Sequence, residues 1–135
     1  MKDRWLALLL VVVASGCVGV PVNDEQVPLA AHGSAERGRE VFVSREGGHC
    51  VLCHAAPGVA VAGNVGPSLT GVGTRLSAAQ IRFRVADITR LNPDAVMPSF
   101  HRTQGLARVA DAYAGKPVLD AQQVEDVVAF LAGLR

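Results

Sequence analysis

Cys50-Val51-Leu52-Cys53-His54 is the stretch of sequence that decides the fold. Two cysteines three residues apart are followed at once by a histidine, which is the pattern at which c-type haem is covalently attached. Residues three apart share a face of a helical turn, so both sulfur atoms can reach one edge of the haem while the adjacent imidazole reaches the iron. The motif occurs once in the chain. It therefore predicts one covalently attached haem c.

Two other kinds of site contain paired cysteines. A thioredoxin-like dithiol follows a strand in a βαβ unit, and a zinc site needs two more ligands at suitable spacing. Neither context surrounds Cys50 and Cys53. The pair therefore indicates haem attachment, with His54 as an axial ligand of the iron.

Met97 is the candidate for the second axial ligand, because it is the only methionine besides the initiator. Pro98 disfavours helical structure at Met97, so the thioether is expected on an extended loop. A soft, neutral sulfur favours ferrous iron and raises the reduction potential relative to two histidine ligands. One alternative is a methionine that only fills a gap in the core. The other is a histidine as sixth ligand: His101, His49 or His32.

Length and composition limit the chain to one small domain. Of its 135 residues, half are apolar but only 4% are aromatic. A core built mostly from alanine, valine and leucine is short of bulk, which a large cofactor supplies. The formal net charge of +1 argues against nucleic acid as a partner.

The N-terminus has the layout of an export signal over residues 1–16. Lys2 and Arg4 precede an apolar run and then three small residues, and the run is too short to span a bilayer. Cys17 follows in a sequence that resembles a bacterial lipobox, in which the cysteine is lipidated. Cleavage nearby by an ordinary signal peptidase is the alternative, and both stay open. Either way, the mature protein is expected outside the cytoplasm, tethered to a membrane if Cys17 carries lipid.

The rest of the chain divides into a flexible tether at residues 17–33 and one domain at residues 34–135. Apolar spacing and capping residues predict helices from 35 to 44, from 78 towards 91, around 105–114 and from 121 onwards. Residues 55–76 are rich in glycine and predict an irregular segment that wraps something. No alternating strand pattern competes, so the predicted class is all-α.

Several of these features together resemble a class I cytochrome c domain. They are the first helix with Gly38 and Phe42, the attachment motif, the Gly66-Pro67-Ser68-Leu69 loop, the Met97-Pro98 loop and the last helix with Phe130. The resemblance implies three to five helices wrapped around one haem. It also implies that the carbonyl of Pro67 accepts the Nδ1 hydrogen of His54, which would fix the ring and raise its basicity.

Residues 92–101, 105–110 and 115–131 closely resemble the SoxX family, the small monohaem subunits of bacterial SoxAX cytochrome complexes. The resemblance implies a periplasmic heterodimer with a larger haem-containing SoxA subunit. In that family the pair joins thiosulfate oxidatively to a cysteine of the SoxYZ sulfur-carrier protein, an L-cysteine S-thiosulfotransferase reaction. The SoxX subunit accepts the released electrons and passes them to a downstream acceptor.

The chain has no recognisable set of acid, base and nucleophile, so its own chemistry is expected to be one-electron transfer. A generic monohaem shuttle to a terminal oxidase is the alternative. Such a carrier usually shows a charged ring that steers transient docking, whereas Lys116 is the only lysine after the signal segment. A standing, largely apolar interface with a partner subunit is therefore preferred.

Overall fold

The structure, a computed structural model, describes residues 27–61 and 63–135. These residues form four α-helices and no β-strand, which confirms the all-α class. The helices are α1 (Ala35–Val43), α2 (Val72–Arg75), α3 (Ala78–Asp87) and α4 (Ala121–Gly133). Short 3-10 turns occupy Cys50–Leu52, Ile88–Arg90 and Asp111–Tyr113. The predicted export signal, the lipobox ending at Cys17 and the first part of the tether lie outside the described residues.

The crossing of α1 and α4 is the central packing contact. Ser34 caps α1, since its side chain accepts a hydrogen bond from the Arg37 backbone N–H. Gly38 lies against the backbone carbonyl of Asp126, and a Cβ atom there would clash with that oxygen. The absent side chain lets the helices approach closely, and the rings of Phe42 and Phe130 then pack 5.5 Å apart.

Helices α3 and α4 begin at complete capping boxes. The side chain of Ser77 accepts from the Gln80 backbone while the Gln80 side chain accepts from the Ser77 backbone, and Asp120 and Gln123 repeat the arrangement for α4. Their apolar faces share one core. Its most deeply buried members on these helices are Ile81, Val85, Val124, Val127 and Val128.

The helix predicted around 105–114 is wrong. Only the 3-10 turn Asp111–Tyr113 forms there, and Gly105 and Arg108 have φ angles of 65° and 58°, which a right-handed helix does not contain. Its apolar residues stay at the surface, so no packed face stabilises a helix. The segment 55–76, predicted to be irregular, contains the short helix α2 at its end.

The last residues of the predicted tether are bound to the domain. We call residues 27–33 the N-terminal strap. The Leu29 backbone N–H donates to Glu125 at 3.0 Å, and the His32 carbonyl accepts from the Gln122 side chain at 2.7 Å. Gly33 packs against the backbone of α4 so closely that a Cβ would overlap the Glu125 carbonyl. The description of residues 17–33 as a flexible tether is therefore corrected for the strap.

Two buried carboxylates on α4 hold these elements together. Glu125 accepts from the Arg82 guanidinium at 2.5 and 2.8 Å, and both residues are buried. Asp126 accepts from the Arg37 side chain at 2.8 Å and from the Ser34 N–H at 2.7 Å. Burial alone would raise the pKa of each carboxyl, but the hydrogen bonds outweigh it and the net pKa is lowered. Both carboxylates stabilise the folded state fully above about pH 4–5, where they are ionised in the unfolded chain as well. This stabilisation is lost as the pH falls through their lowered pKa values in the folded protein.

We expect Glu125→Gln to destabilise the holoprotein by about 3–5 kcal/mol, because it leaves the Arg82 guanidinium buried without its counter-charge. Guanidinium-induced unfolding followed by circular dichroism measures the loss. The control is Glu40→Gln on α1, an exposed glutamate. A double variant, Arg82→Met with Glu125→Leu, should recover much of the stability. Equal unfolding midpoints for Glu125→Gln and Glu40→Gln would contradict the prediction.

Candidate haem-binding site

The attachment motif folds as a tight turn at the end of the loop after α1. The backbone N–H groups of Cys53 and His54 both donate to the Cys50 carbonyl, at 3.1 and 2.9 Å. His49 enters the turn in the left-handed region, with φ 44° and ψ 38°. Both motif cysteines are half-buried, and neither forms a disulfide within the described part of the chain. The turn therefore gathers two thiols and one imidazole within five residues.

The ring of His54 is oriented by the loop that follows it. Its Nδ1 lies 2.8 Å from the backbone carbonyl oxygen of Pro67. Because a carbonyl can only accept, Nδ1 carries the hydrogen in this contact and Nε2 keeps its lone pair for a metal. The Gly66 backbone N–H donates to the Cys53 carbonyl at 2.7 Å, which ties the loop to the motif.

The loop after the motif is also held by Arg75 in α2. Its guanidinium donates to the carbonyl of Thr70 at 2.5 Å and to that of Ser68 at 3.4 Å. The two arginines of α3 that precede Asp87 make different contacts. Arg82 is buried against Glu125, and Arg84 donates to the Gln80 carbonyl of its own helix.

Met97 lies outside any helix, as predicted for an extended loop. Its side chain is half-buried and packs against the core, whereas the preceding Val96 is 85% exposed. The backbone before it turns at Asn92, whose carbonyl accepts from the Ala95 N–H at 3.0 Å. Phe100, three residues after Met97, is buried in the core and anchors the loop.

The alternative histidine ligands are placed differently. Nδ1 of His101 lies 2.9 Å from the Leu119 carbonyl, and its backbone N–H donates to the Ala86 carbonyl at 3.0 Å. His32 lies in the N-terminal strap, and His49 precedes the attachment turn. His101 thus links α3 to the segment before α4.

The residues present fit haem c. Two unpaired thiols supply the atoms for thioether bonds, and an imidazole with free Nε2 supplies a nitrogen ligand. A glycine stands against the imidazole face where any side chain would collide with the ring. The half-buried thioether of Met97 is the sulfur donor predicted as the second ligand, and a nitrogen and sulfur donor set of this kind would suit low-spin iron in an electron-transfer protein.

The cytochrome c family profile matches residues 35–135. The chain belongs to the cytochrome c family. It is similar to a chain in the crystal structure of SoxXA from P. pantotrophus, with 37% sequence identity and a TM-score of 0.70, over 78% of this chain and 84% of that chain. No curated protein matches it.

These comparisons confirm the class I cytochrome c fold, the covalently bound haem c and the resemblance to SoxX. Within residues 27–61 and 63–135 of this cytochrome c, no helix is both long enough and apolar enough to cross a membrane.

Gly66, the first residue of the Gly66-Pro67-Ser68-Leu69 loop, lies close to the His54 ring. A Cβ built on Gly66 would lie 2.7 Å from Nδ1 and 2.8 Å from Nε2 of the ring, and closer still to Cε1. Real Cβ atoms essentially never approach so closely, so the ring or the loop must shift.

We expect Gly66→Ala to displace the His54 ring and weaken or break its axial bond while leaving the thioether bonds intact. Haem staining of denatured protein should be unchanged, whereas the absorption spectrum of the folded protein should change towards that of high-spin iron. Gly133→Ala at the end of α4 is the matched control, because nothing lies within 4 Å of a Cβ there. Wild-type spectra for Gly66→Ala would refute this role.

Proposed function

We propose that this cytochrome is the electron-transfer subunit of a periplasmic thiosulfate-oxidising complex. The observation that carries the proposal is the 37% identity to a chain of the SoxXA structure, which extends over most of both chains. Resemblance in residues 92–101, 105–110 and 115–131 supports it independently of the haem motif, which all c-type cytochromes share.

The residues of the site have distinct roles in this proposal. Cys50 and Cys53 form the thioether bonds to the haem, and His54 binds the iron through Nε2. Pro67 orients the imidazole through its carbonyl oxygen, 2.8 Å from Nδ1, and Met97 would supply the second ligand of the iron through its sulfur. The haem, when bound, takes up and releases one electron at a time.

The sulfur chemistry belongs to the partner subunits. A larger haem-containing subunit of the SoxA type binds this chain as a heterodimer. There a sulfur–sulfur bond forms between thiosulfate and a cysteine thiol of the carrier protein, the thiol proton is lost, and two electrons leave. This cytochrome accepts them one after the other, and a downstream acceptor reoxidises it between the two steps.

Export and anchoring are part of the proposal. The predicted signal at residues 1–16 places the mature protein in the periplasm, where haem c is attached. If Cys17 is lipidated, the domain is held at a membrane by the residues between Cys17 and the N-terminal strap. Mass spectrometry of the mature N-terminus distinguishes a lipidated cysteine from a free one.

The test is purification of tagged mature protein from native periplasm and membranes, followed by haem staining and a reduction assay. We expect a stoichiometric larger haem protein in the eluate, and haem reduction that needs both thiosulfate and a carrier thiol. Omission of the carrier protein is the control and should abolish reduction. Recovery of a lone, redox-active monohaem protein would overturn the proposal and favour a generic electron shuttle.

A further inference from the structure

A pocket of about 320 Å³ lies between α3, the N-terminal strap and the segment at His101 and Arg102. None of the proposed haem-binding residues lines it. Its volume is at the lower end of the range found for small-molecule sites, roughly 300–1,000 Å³. The pocket is therefore large enough for a small organic ligand, and its lining does not include the proposed haem-binding residues.

The floor of the pocket is apolar. Leu29 of the strap, Phe83 and Ala86 of α3 contribute to its lining, and the exposed surface inside it is mostly carbon. Leu29 is 38% exposed there, although its backbone is fixed by the hydrogen bond to Glu125. An apolar ligand group that covered this floor would remove carbon surface from water, which favours binding.

The carboxylate that lines the pocket is fully engaged. Asp87 accepts hydrogen bonds from the Thr89 N–H and hydroxyl, from the Ser99 hydroxyl, and forms an ion pair with Arg102 at 3.3 Å. These bonds outweigh burial and lower the pKa of Asp87, so it is ionised at neutral pH. Asp87 therefore balances one arginine and has little capacity left for a second cation.

Two arginines of the lining can still donate hydrogen bonds to an anion. Arg90 lies 5.0 Å over the Phe83 ring, and no carboxylate in the described part of the chain forms an ion pair with it. Nε of Arg102 is buried and has no hydrogen-bond partner among the described residues. Buried donors without partners are rare in native structures, and each one costs free energy until an acceptor satisfies it.

The other polar and charged residues of the lining do not neutralise the positive charge of Arg90. The third arginine of the lining, Arg82, is paired with Glu125 through two hydrogen bonds. His101 also lines the pocket, and its Nδ1 is bonded to the Leu119 carbonyl. The pocket thus combines an apolar floor with an excess positive charge, and Arg102 of its lining carries a buried N–H without an acceptor among the described residues.

We propose that this pocket binds a small organic carboxylate with a short apolar chain. The carboxylate accepts charge-assisted hydrogen bonds from Arg102 and Arg90, and the chain covers Leu29, Phe83 and Ala86. An inorganic oxyanion would match the charge but leave the apolar floor in water. The inference does not depend on the proposed role in thiosulfate oxidation.

The test uses reduced holoprotein labelled with ¹⁵N and titrated with hexanoate at constant ionic strength. We expect saturable chemical-shift changes centred on Leu29, Phe83, Ala86 and His101, with no change in the haem absorption spectrum. Hexanol has the same apolar chain but no charge. It should bind at least about tenfold more weakly than hexanoate, because it cannot form a charge-assisted hydrogen bond. Sulfate should bind less tightly than hexanoate.

Variants assign the effect to the pocket. Arg90→Gln and Arg102→Gln should each weaken hexanoate binding several-fold, and Arg90 is exposed, so its replacement should not impair folding. Arg45→Gln removes the same charge from an exposed residue outside the pocket and should leave binding unchanged. Equal binding of hexanol and hexanoate, equal effects of Arg45→Gln and Arg90→Gln, or a changed haem spectrum would overturn the proposal.

Discussion

Replacing both Cys50 and Cys53 by alanine is expected to leave a chain that holds no covalent haem and has little stable structure. The loss should approach the whole free energy of unfolding, which is about 5–15 kcal/mol for small domains. Bulk is the physical reason: among the described residues, the buried core contains three aromatic side chains, Phe42, Phe100 and Phe130, and consists otherwise of smaller aliphatic residues. The haem supplies the apolar mass that the sequence lacks.

The region around the motif depends most on the cofactor. The long glycine-rich loop is bonded to the attachment motif and the residue after it through backbone hydrogen bonds. The N–H groups of Gly63, Gly66 and Leu69 donate to the carbonyls of Val51, Cys53 and Ala55. Val61 and Val65 on this loop are 65% and 69% exposed. Without the haem, few apolar contacts remain to offset the entropy of ordering such a loop.

Far-UV circular dichroism and thermal unfolding measure the effect on the double cysteine variant. Cys17→Ala removes the one cysteine outside the motif and is the control, which should keep both the haem and the wild-type melting transition. A helical double variant that unfolds cooperatively near the wild-type temperature would show that the haem is not a structural part of the core.

Helices α1, α3 and α4 were predictable because local and tertiary signals agree there. Ser77 and Asp120 satisfy the first N–H groups of α3 and α4, and the apolar residues that follow share a face. The segment 105–114 has similar apolar spacing but no surface to pack against. Its chain turns through left-handed conformations at Gly105 and Arg108 instead.

The buried ion pairs and the strap could not be predicted from the sequence. Arg82 and Glu125 are 43 residues apart, and nothing local distinguishes them from solvent-exposed charges. The strap has the composition of a linker, yet Leu29 and Gly33 fit against α4 through a hydrogen bond and a close backbone contact. Both features depend on the three-dimensional arrangement of α3 and α4.

The residues of the candidate haem site also differ in how far the sequence predicts them. Cys50, Cys53 and His54 are contiguous, so their spacing alone predicts their chemistry. The contact between His54 and Pro67 was predicted only through resemblance to a family, because a glycine–proline pair by itself indicates no more than a turn. The approach of Gly66 to the imidazole gives no sequence signal beyond the glycine itself.

Met97→Leu is expected to keep the covalent haem, because both cysteines remain, but to abolish the near-infrared band of an iron–sulfur bond. Leucine has a similar volume, so the packing of this half-buried position changes little. Loss of the soft sulfur should lower the reduction potential by a substantial part of the roughly 0.8 V range that axial ligands control. Absorption spectroscopy and redox titration of the purified protein measure both effects. Val96→Leu, at the exposed neighbouring position, is the control and should change neither.

A spectrum that Met97→Leu leaves unchanged would move the sixth-ligand assignment to another side chain, and His101 is then the first to test. Nδ1 of His101 is already bonded to the Leu119 carbonyl and its backbone N–H to the Ala86 carbonyl, so these contacts give the residue a structural role and leave only Nε2 for iron. His101→Gln should therefore leave the near-infrared band and the potential close to wild type while lowering the melting temperature. If the wild-type protein instead showed no such band and His101→Gln changed its absorption spectrum, the thioether of Met97 would be a core contact and the potential would be set by two histidines.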